Sequence, residues 1–441
     1  MNAIAHPIKS PMKTKAELAL AAAYLGARTA LPGGPDVAAQ RKAAIDLFGR
    51  TGLPSRKLEG WKYTDLRQLM PEMAPLAKPE AMASLGGQML AALGFRRLVI
   101  VNGSLIAAAS DLAGLEAGLA IRSMAEALAA DEPLLEQRLG DVVPPDDASL
   151  ALNTAFAGDG VVLTVAPGAA IERPIHLVFV TTGERAVSSF TRSLAVIGAD
   201  AKLTLVETHE GPDKTDYQVN AALQLVIGEG AEVEHVRVIG EGSTALHVGT
   251  LLAHVGPRAT FNSLSFISGG AVIRNQQFIR LGGEGTVAGI RGVSLLSGTQ
   301  HADTTLAVDH AAPGGQSREA FKSVLDDQAR AVFQGRITVR QAAQQTDAKM
   351  MSRALLLSDD ARADHKPELV IFADDVQCGH GSTAGPLDDQ LTFYLMARGI
   401  PEREARALLV QAFAAEVLDP LPHDGLREVL SNATAAWLKE H

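Results

Sequence analysis

The sequence has 441 residues, of which 47% are hydrophobic, 20% charged and 4% aromatic, and it includes 41 glycines. This length allows two or three domains, or one extended repeat body with flanking pieces. The formal net charge of −10 argues against a nucleic-acid-binding surface, which would be basic. A single cysteine excludes an internal disulfide and is typical of a reducing compartment.

The N-terminal stretch predicts no signal peptide, because Lys13, Lys15 and Glu17 interrupt its apolar run. Nowhere does the chain approach the roughly 18 uninterrupted apolar residues of a membrane-spanning helix. We therefore expect a cytoplasmic protein that binds neither membranes nor nucleic acid.

Residues 1–150 form the first predicted region, which is mostly helical with some strand. A helix is predicted to end at Gly52, and its apolar face is made by Ala39, Ala43, Ile45 and Leu47. Further on, Asn102-Gly103 is a tight-turn signal between two short strands. The pattern then returns to helix near residues 124–140.

Residues 151–386 form the predicted body, in which strands follow one another with almost no helix. A glycine recurs at the corners before successive strands, in steps of 30, 30, 28 and 27 residues, at Gly168, Gly198, Gly228, Gly256 and Gly283. A period of this size, carried by strands, predicts a solenoid whose stacked units share one core.

The strands of this body alternate between apolar and polar residues. Leu203 and Leu205 fall on one face of their strand, and Lys202 and Thr204 fall on the other. A β-sandwich is the alternative, but its turns recur about every 8–12 residues. The longer interval between the glycine corners favours the solenoid.

Residues 387–441 form a third region of three predicted helices. The middle helix carries an apolar stripe at helical spacing, made by Ala405, Leu408, Leu409, Ala412, Phe413 and Val417. This stripe either packs inside the region or leaves part of its surface for a partner.

Several common catalytic motifs are missing from the sequence. It has no P-loop for a nucleotide, no G-x-S-x-G nucleophile elbow, no H-E-x-x-H and no C-x-x-C. Most of the twelve histidines are isolated, such as His176, His235 and His254. We interpret these as surface residues or as satisfied core residues.

The stretch DDVQCGHGSTAG, residues 374–385, places the only cysteine, Cys378, two residues before His380. We expect a loop here, beyond the end of an apolar strand. Cys378 could be a small packing residue or half of a Cys–His nucleophile pair. The two side chains could also form half of a metal site for zinc or iron–sulfur iron. Because two ligands do not close a four-coordinate site, the remaining ligands would come from another chain.

Three stretches resemble the SufB/SufD family of iron–sulfur cluster assembly scaffold proteins, on its SufD side. They are GLPSRKLEGWKYTDL at residues 52–66, SREAFKSVLDDQARAVFQGRITV at residues 317–339, and the run from KPELVIFADDVQCGHGSTAG to AAEVL at residues 366–418. The single cysteine also favours the SufD side, since SufB supplies the thiols that carry sulfur in this family. The resemblance implies a right-handed parallel β-helix between two helical regions.

The resemblance also implies the partners. A SufD-like chain pairs with SufB through the β-helix and contacts the ATPase SufC through its C-terminal helices. The implied SufC contacts are Leu391, Tyr394, Leu408, Leu409 and Phe413. The isolated chain could instead form a homodimer.

For the site, the resemblance implies that His380 is a ligand of a nascent iron–sulfur cluster shared with SufB, with Cys378 in a less certain role beside it. We expect a non-catalytic subunit with no nucleotide site of its own, since ATP hydrolysis belongs to SufC. The alternative is a purely structural solenoid that holds SufB and SufC without ligating the cluster.

Overall fold

The computed structural model describes residues 12–78, 86–139 and 147–440, and two long sheets dominate it. Residues 1–11, part of the stretch that predicts no signal peptide, lie outside the described residues. Within the described part of the chain, no helix has the length and the apolar content needed to span a bilayer.

Nine of the described strands form sheet A: β3 (Leu119–Ser123), β4 (Val161–Val165), β6 (Ser188–Ile197), β8 (Gln218–Ile227), β10 (Leu246–Val255), β12 (Val272–Leu281), β14 (His301–His310), β16 (Arg330–Val339) and β18 (Arg362–Ile371). Ten form sheet B: β1 (Arg96–Val101), β2 (Ser104–Leu105), β5 (Ile175–Val180), β7 (Lys202–Glu210), β9 (Glu232–Gly240), β11 (Thr260–Ile267), β13 (Val287–Leu296), β15 (Gln316–Leu325), β17 (Thr346–Leu356) and β19 (Val376–Gly385). All neighbours run parallel except β2 on β1 and β3 on β4.

The helices lie before and after most of these strands. They are α1 (Lys15–Ala27), α2 (Pro35–Thr51), α3 (Leu66–Leu69), α4 (Met124–Ala129), α5 (Pro133–Arg138), α6 (Ala148–Phe156), α7 (Asp389–Met396), α8 (Glu402–Leu418) and α9 (Asp424–Glu440). The three predicted C-terminal helices are therefore confirmed as α7, α8 and α9.

From β4 onward the chain alternates between the sheets, and each pair of successive strands makes one turn of a parallel β-solenoid with eight turns. Ser188 pairs with Gln218, and Gln218 pairs with Leu246, so equivalent positions are 30 and 28 residues apart. This register confirms the predicted solenoid and excludes the sandwich. The sheets begin earlier than residue 151, because β1 and β3 already belong to them.

Four of the five recurrent glycines, all except Gly168, lie where the backbones of successive turns come closest together. A Cβ atom on Gly228 would stand 2.8 Å from the backbone nitrogen of Ala199 in the turn below. On Gly283 it would stand 2.1 Å from the nitrogen of Pro257. The glycine period therefore follows from backbone stacking at one corner of the solenoid, since any side chain there would push the turns apart.

Inside the solenoid, one half of the space is apolar and the other half is strongly polar. Leu203 and Leu205 point into the apolar half, as their alternation predicts. The polar half contains six buried ionisable side chains from β7, β9, β10 and the turn after β9. We call them the buried polar cluster: Glu207, His209, His235, Arg237, Glu241 and His247. The sequence reading of His235 as an isolated histidine therefore missed its neighbours.

The N-terminal helices cover the outer face of sheet A. Trp61 belongs to the stretch at residues 52–66 that resembles the family. The guanidinium carbon of Arg274 lies over the Trp61 ring, 4.3 Å from the centre of that ring. Arg274 pairs with the fully buried Asp303 at 2.6 Å, and Thr64 of the same stretch donates a hydrogen bond to that carboxylate. The stretch thus docks the N-terminal region onto the solenoid.

The predicted apolar face of α2 is partly wrong. Ala39 and Ala43 are exposed, and the buried side chains are Arg41 and Phe48. Arg41 is buried because its guanidinium donates to carbonyl groups at the C-terminal end of α6, including that of Ala157 at 2.7 Å. A buried cation at a helix C-terminus is favourable, and apolar periodicity alone does not reveal it.

Candidate functional site

The last turn of the solenoid is open. β18 pairs only with β16, and β19 pairs only with β17, so no described strand covers the outer edge of either. Nearly every residue of these two strands is exposed or half-buried, whereas most positions of the earlier strands are buried. Ten-residue strands with a free edge are templates for pairing with another chain.

Cys378 and His380 lie in β19, so the expected loop is a strand. Cys378 is in register with Ala348 of β17, and His380 is in register with Met350. Glycines and small polar residues are depleted in strands, and this composition led to the expectation of a loop. In the structure, the unbroken ladder to β17 overrides that local preference.

The two side chains share one face of β19, because side chains alternate along a strand. Their register partners Ala348 and Met350 both belong to the buried apolar interior. Cys378 is half-buried against that interior, while His380 is exposed. The pair therefore stands at the mouth of the solenoid, where the interior opens.

Burial raises the pKa of the Cys378 thiol, and the nearby carboxylates Asp347 and Glu319 raise it further. A thiol with a raised pKa is less ionised at neutral pH, which weakens it as a nucleophile or metal ligand. This environment ranks Cys378 below His380 as a donor.

Glu319 lies one strand further in, on the same face of the sheet, in register with Met350 and so behind His380. It is 1% exposed, and burial raises its pKa to about 7. Sequence reasoning missed this carboxyl, because its inward direction follows only from the register of three strands.

The implied SufC contacts divide into two groups. Leu391 and Tyr394 on α7 and Leu408 on α8 are exposed. Leu409 and Phe413 are half-buried against the core that α8 and α9 form over sheet B. The exposed apolar surface also includes two α7 residues that the sequence reading left out, Phe393 and Met396. We call this exposed set the α7–α8 apolar patch.

Comparison with known proteins identifies the family. A family model described as the SufBD core domain of SUF-system FeS cluster assembly matches residues 179–413, and a model of the SufBD protein N-terminal region matches residues 33–177. The chain belongs to the SufBD family. The resemblance found in the three sequence stretches is thereby confirmed, and iron–sulfur cluster assembly is the family's process.

Individual relatives agree with this assignment. The iron-sulfur cluster assembly protein SufD of Escherichia coli is 30% identical over 385 residues, covering 86% of this chain and 88% of that protein. A SufBD family protein of Synechocystis is 31% identical over 396 residues, covering 87% of each chain. SufD of Bacillus subtilis is 29% identical over 295 residues, covering 66% of this chain and 67% of that protein.

Proposed function

We propose that this chain is the SufD subunit of an iron–sulfur cluster assembly scaffold. It pairs with SufB along the free edges of β18 and β19, and it binds the ATPase SufC through the α7–α8 apolar patch. It has no catalytic role of its own. The observation that carries the proposal is the open last turn, which presents Cys378 and His380 beside an unpaired strand edge.

The open turn supports strand pairing across the interface. Main-chain groups of a partner's terminal strands can continue both ladders, as in other cases of strand addition. Val370, Ile371 and Phe372 are exposed at this end, with Phe372 59% exposed. A partner that covered them would remove apolar surface from water, which adds affinity to the backbone hydrogen bonds.

The α7–α8 apolar patch supports a second contact. Phe393 is 71% exposed and Tyr394 is 52% exposed on a helix of only eight residues. Contiguous exposed aromatic and aliphatic side chains mark interaction surfaces in soluble proteins. The patch lies on the C-terminal helices and not on the two edge strands, so it offers a surface separate in sequence from the strand-edge contact.

For the cluster, His380 supplies a ligand to a site that SufB completes, and Cys378 is a secondary or transient ligand. The cluster is cargo that leaves the scaffold, not a resident cofactor. Cys378 and His380 offer two donors, whereas a [2Fe–2S] or [4Fe–4S] cluster is held by about four protein ligands. Since the pair lies at the interface edge, the missing donors are within reach of the partner's last strands.

The test is co-expression of this chain with SufB and SufC, followed by measurement of iron and sulfide in the purified complex. His380→Ala should keep the three subunits together and strongly lower cluster content. Cys378→Ser should lower it less. Gln377→Ala, at an exposed position on the opposite face of β19, is the matched control.

If His380→Ala complexes build clusters at the wild-type rate, the histidine is no ligand. The chain would then be a structural solenoid that only holds SufB and SufC. If the wild-type chain fails to co-purify with SufB, the strand-edge contact itself is wrong.

A further inference from the structure

We propose that the solenoid interior contains a binding site for one divalent transition-metal ion, zinc or ferrous iron, made by His209, Glu241 and His247. The site lies in the buried polar cluster, within the early turns, far along the chain from Cys378 and His380. It does not depend on the proposed scaffold function.

The three side chains offer donors in one small volume. One nitrogen from each imidazole and one oxygen of Glu241 lie within 4.8 Å of one another, and all three residues are buried. His247 Nδ1 stands 2.8 Å from Glu241 Oε1. The His209 and His247 rings meet edge to face with centres 4.8 Å apart. Two imidazoles and one carboxylate are a donor set that binds zinc and ferrous iron in proteins.

The distances are close to those of a loaded site. Two donors that each stand about 2.1 Å from one tetrahedral ion are roughly 3.4 Å apart. The widest spacing, 4.8 Å, must therefore shrink by about 1.4 Å. Loading the site therefore requires the imidazole rings and the Glu241 carboxylate to move toward the ion by a total of about this amount.

Hydrogen bonding leaves donors free for a ligand. Nε2 of His247 and Nδ1 of His209 have no hydrogen-bond partner among the described residues, although both residues are at most 1% exposed. Buried polar atoms without partners are rare and need an explanation.

Charge in this part of the cluster favours a cation. Glu207 is neutralised by Arg237, with a shortest distance of 2.8 Å. Glu241 is equally buried, but within the described residues its only ion-pair partner is His247, which is charged only when protonated. Its second oxygen accepts a hydrogen bond from Tyr217, a neutral donor, at 2.7 Å. A divalent ion would supply the missing positive charge, which a buried carboxylate needs.

The surroundings leave room for a fourth ligand. A cavity of about 10 Å³ touches both His209 and Glu241, with Gly103 on its rim. This volume is close to the minimum for one water molecule. Gly249, at the next inward position after His247, lacks a side chain, and a Cβ there would stand 2.6 Å from His247 Nε2. A side chain at position 249 would therefore collide with that nitrogen, and the glycine avoids this.

The test uses the full-length chain with Cys378→Ser and His380→Ala, so that the strand-edge pair cannot bind the probe. After chelator treatment, the protein is titrated with Zn²⁺ and, anaerobically, with Fe²⁺, and bound metal is measured by mass spectrometry after gel filtration. We expect about one metal ion per chain. Co²⁺ should give ligand-field absorption bands typical of four- or five-coordinate nitrogen and oxygen ligation.

Variants separate the site from folding. His247→Gln should abolish stoichiometric binding. Tyr217→Phe removes the hydrogen bond that the hydroxyl donates to Glu241 and the one that it accepts from the backbone of Gly242, and it should weaken affinity roughly 10- to 100-fold. His176→Gln is the matched control, because His176 is also fully buried but its contact is the hydroxyl of Thr208.

Zn²⁺ should also raise the unfolding temperature of the chain with intact His209, Glu241 and His247, a measurement that needs no folded variant. The proposal would be overturned if the chain bound no stoichiometric metal. It would also be overturned if His247→Gln and Tyr217→Phe bound the metal as tightly as the chain with the intact site. The cluster would then be a hydrogen-bonded network that holds no ion.

Discussion

Glu319→Gln should make the protein more stable at pH 8 and leave its stability at pH 4.5 nearly unchanged. The carboxyl of Glu319 is 1% exposed, and burial raises its pKa from the ordinary 4.5 to about 7. Between these values the unfolded chain ionises this group while the folded chain keeps it protonated. Raising the pH therefore stabilises the unfolded state, and the folded protein loses stability up to about pH 7.

The magnitude follows from the two pKa values. A rise from 4.5 to about 7 corresponds to about 3 kcal/mol of stability lost across this pH range. Glutamine has nearly the same shape and no charge, so the variant lacks this loss. Glu234, whose pKa burial also raises to about 7, titrates in both proteins, and its contribution cancels in the difference.

The assay is denaturant unfolding of both proteins at half-unit steps from pH 4.5 to 8. The stability difference should grow to about 3 kcal/mol and level off above pH 7. Glu404→Gln, at an exposed position on α8, is the matched control for removing a carboxylate that is not buried. A constant difference for Glu319→Gln would show that the carboxyl is solvated. Because the Glu319 charge raises the pKa of Cys378, the variant should also alkylate faster at that thiol.

Two further predictions concern the contact between the N-terminal region and the solenoid, and the proposed contact with SufC. Asp303→Ala should cost about 3–5 kcal/mol of stability, because it leaves the buried Arg274 unpaired, whereas Asp309→Ala at an exposed pair should cost at most about 1 kcal/mol. Chemical denaturation distinguishes them, and equal losses would contradict the docking role of Asp303. Leu408→Glu should abolish SufC co-purification without lowering the unfolding temperature, while Arg406→Glu on the same helix should leave both unchanged. SufC binding that survives Leu408→Glu would exclude the α7–α8 apolar patch as the contact.

The solenoid was predictable because its signal is repeated. The corner glycines recur in successive early turns, and four of the five share one steric reason, the close approach of stacked backbones, so weak signals add up. The end of α2 at Gly52 was also readable, since it depends on one local feature: Gly52 has φ 71°, a conformation that favours glycine.

The site was only half predictable. The sequence singles out Cys378 and His380 by chemistry, but it does not show that they lie in an edge strand, because β19 has poor strand propensity and exists through its ladder to β17. Glu319 and the buried polar cluster escaped for a different reason. A polar residue in an alternating strand points inward or outward depending on register, and register is a property of several turns together. The buried Arg41 of α2 is a helical example, because its burial depends on contacts with α6 that the sequence pattern of α2 does not show.

The two ends of the solenoid differ in whether their strand edges are open to pairing with another chain. At the N-terminal end, the antiparallel strands β2 and β3 terminate the sheets. At the C-terminal end, β18 and β19 leave both ladders unpaired. Backbone pairing by itself accepts many sequences, so the side chains at this end must provide selectivity. Phe372 offers an apolar contact, while Gly379 and Gly381 flank His380 and leave its imidazole uncrowded along the strand. A partner strand paired with β19 in one register could form backbone hydrogen bonds and place its own ligand side chains beside His380. A shift of that strand by one residue would turn those side chains to the opposite face of the sheet.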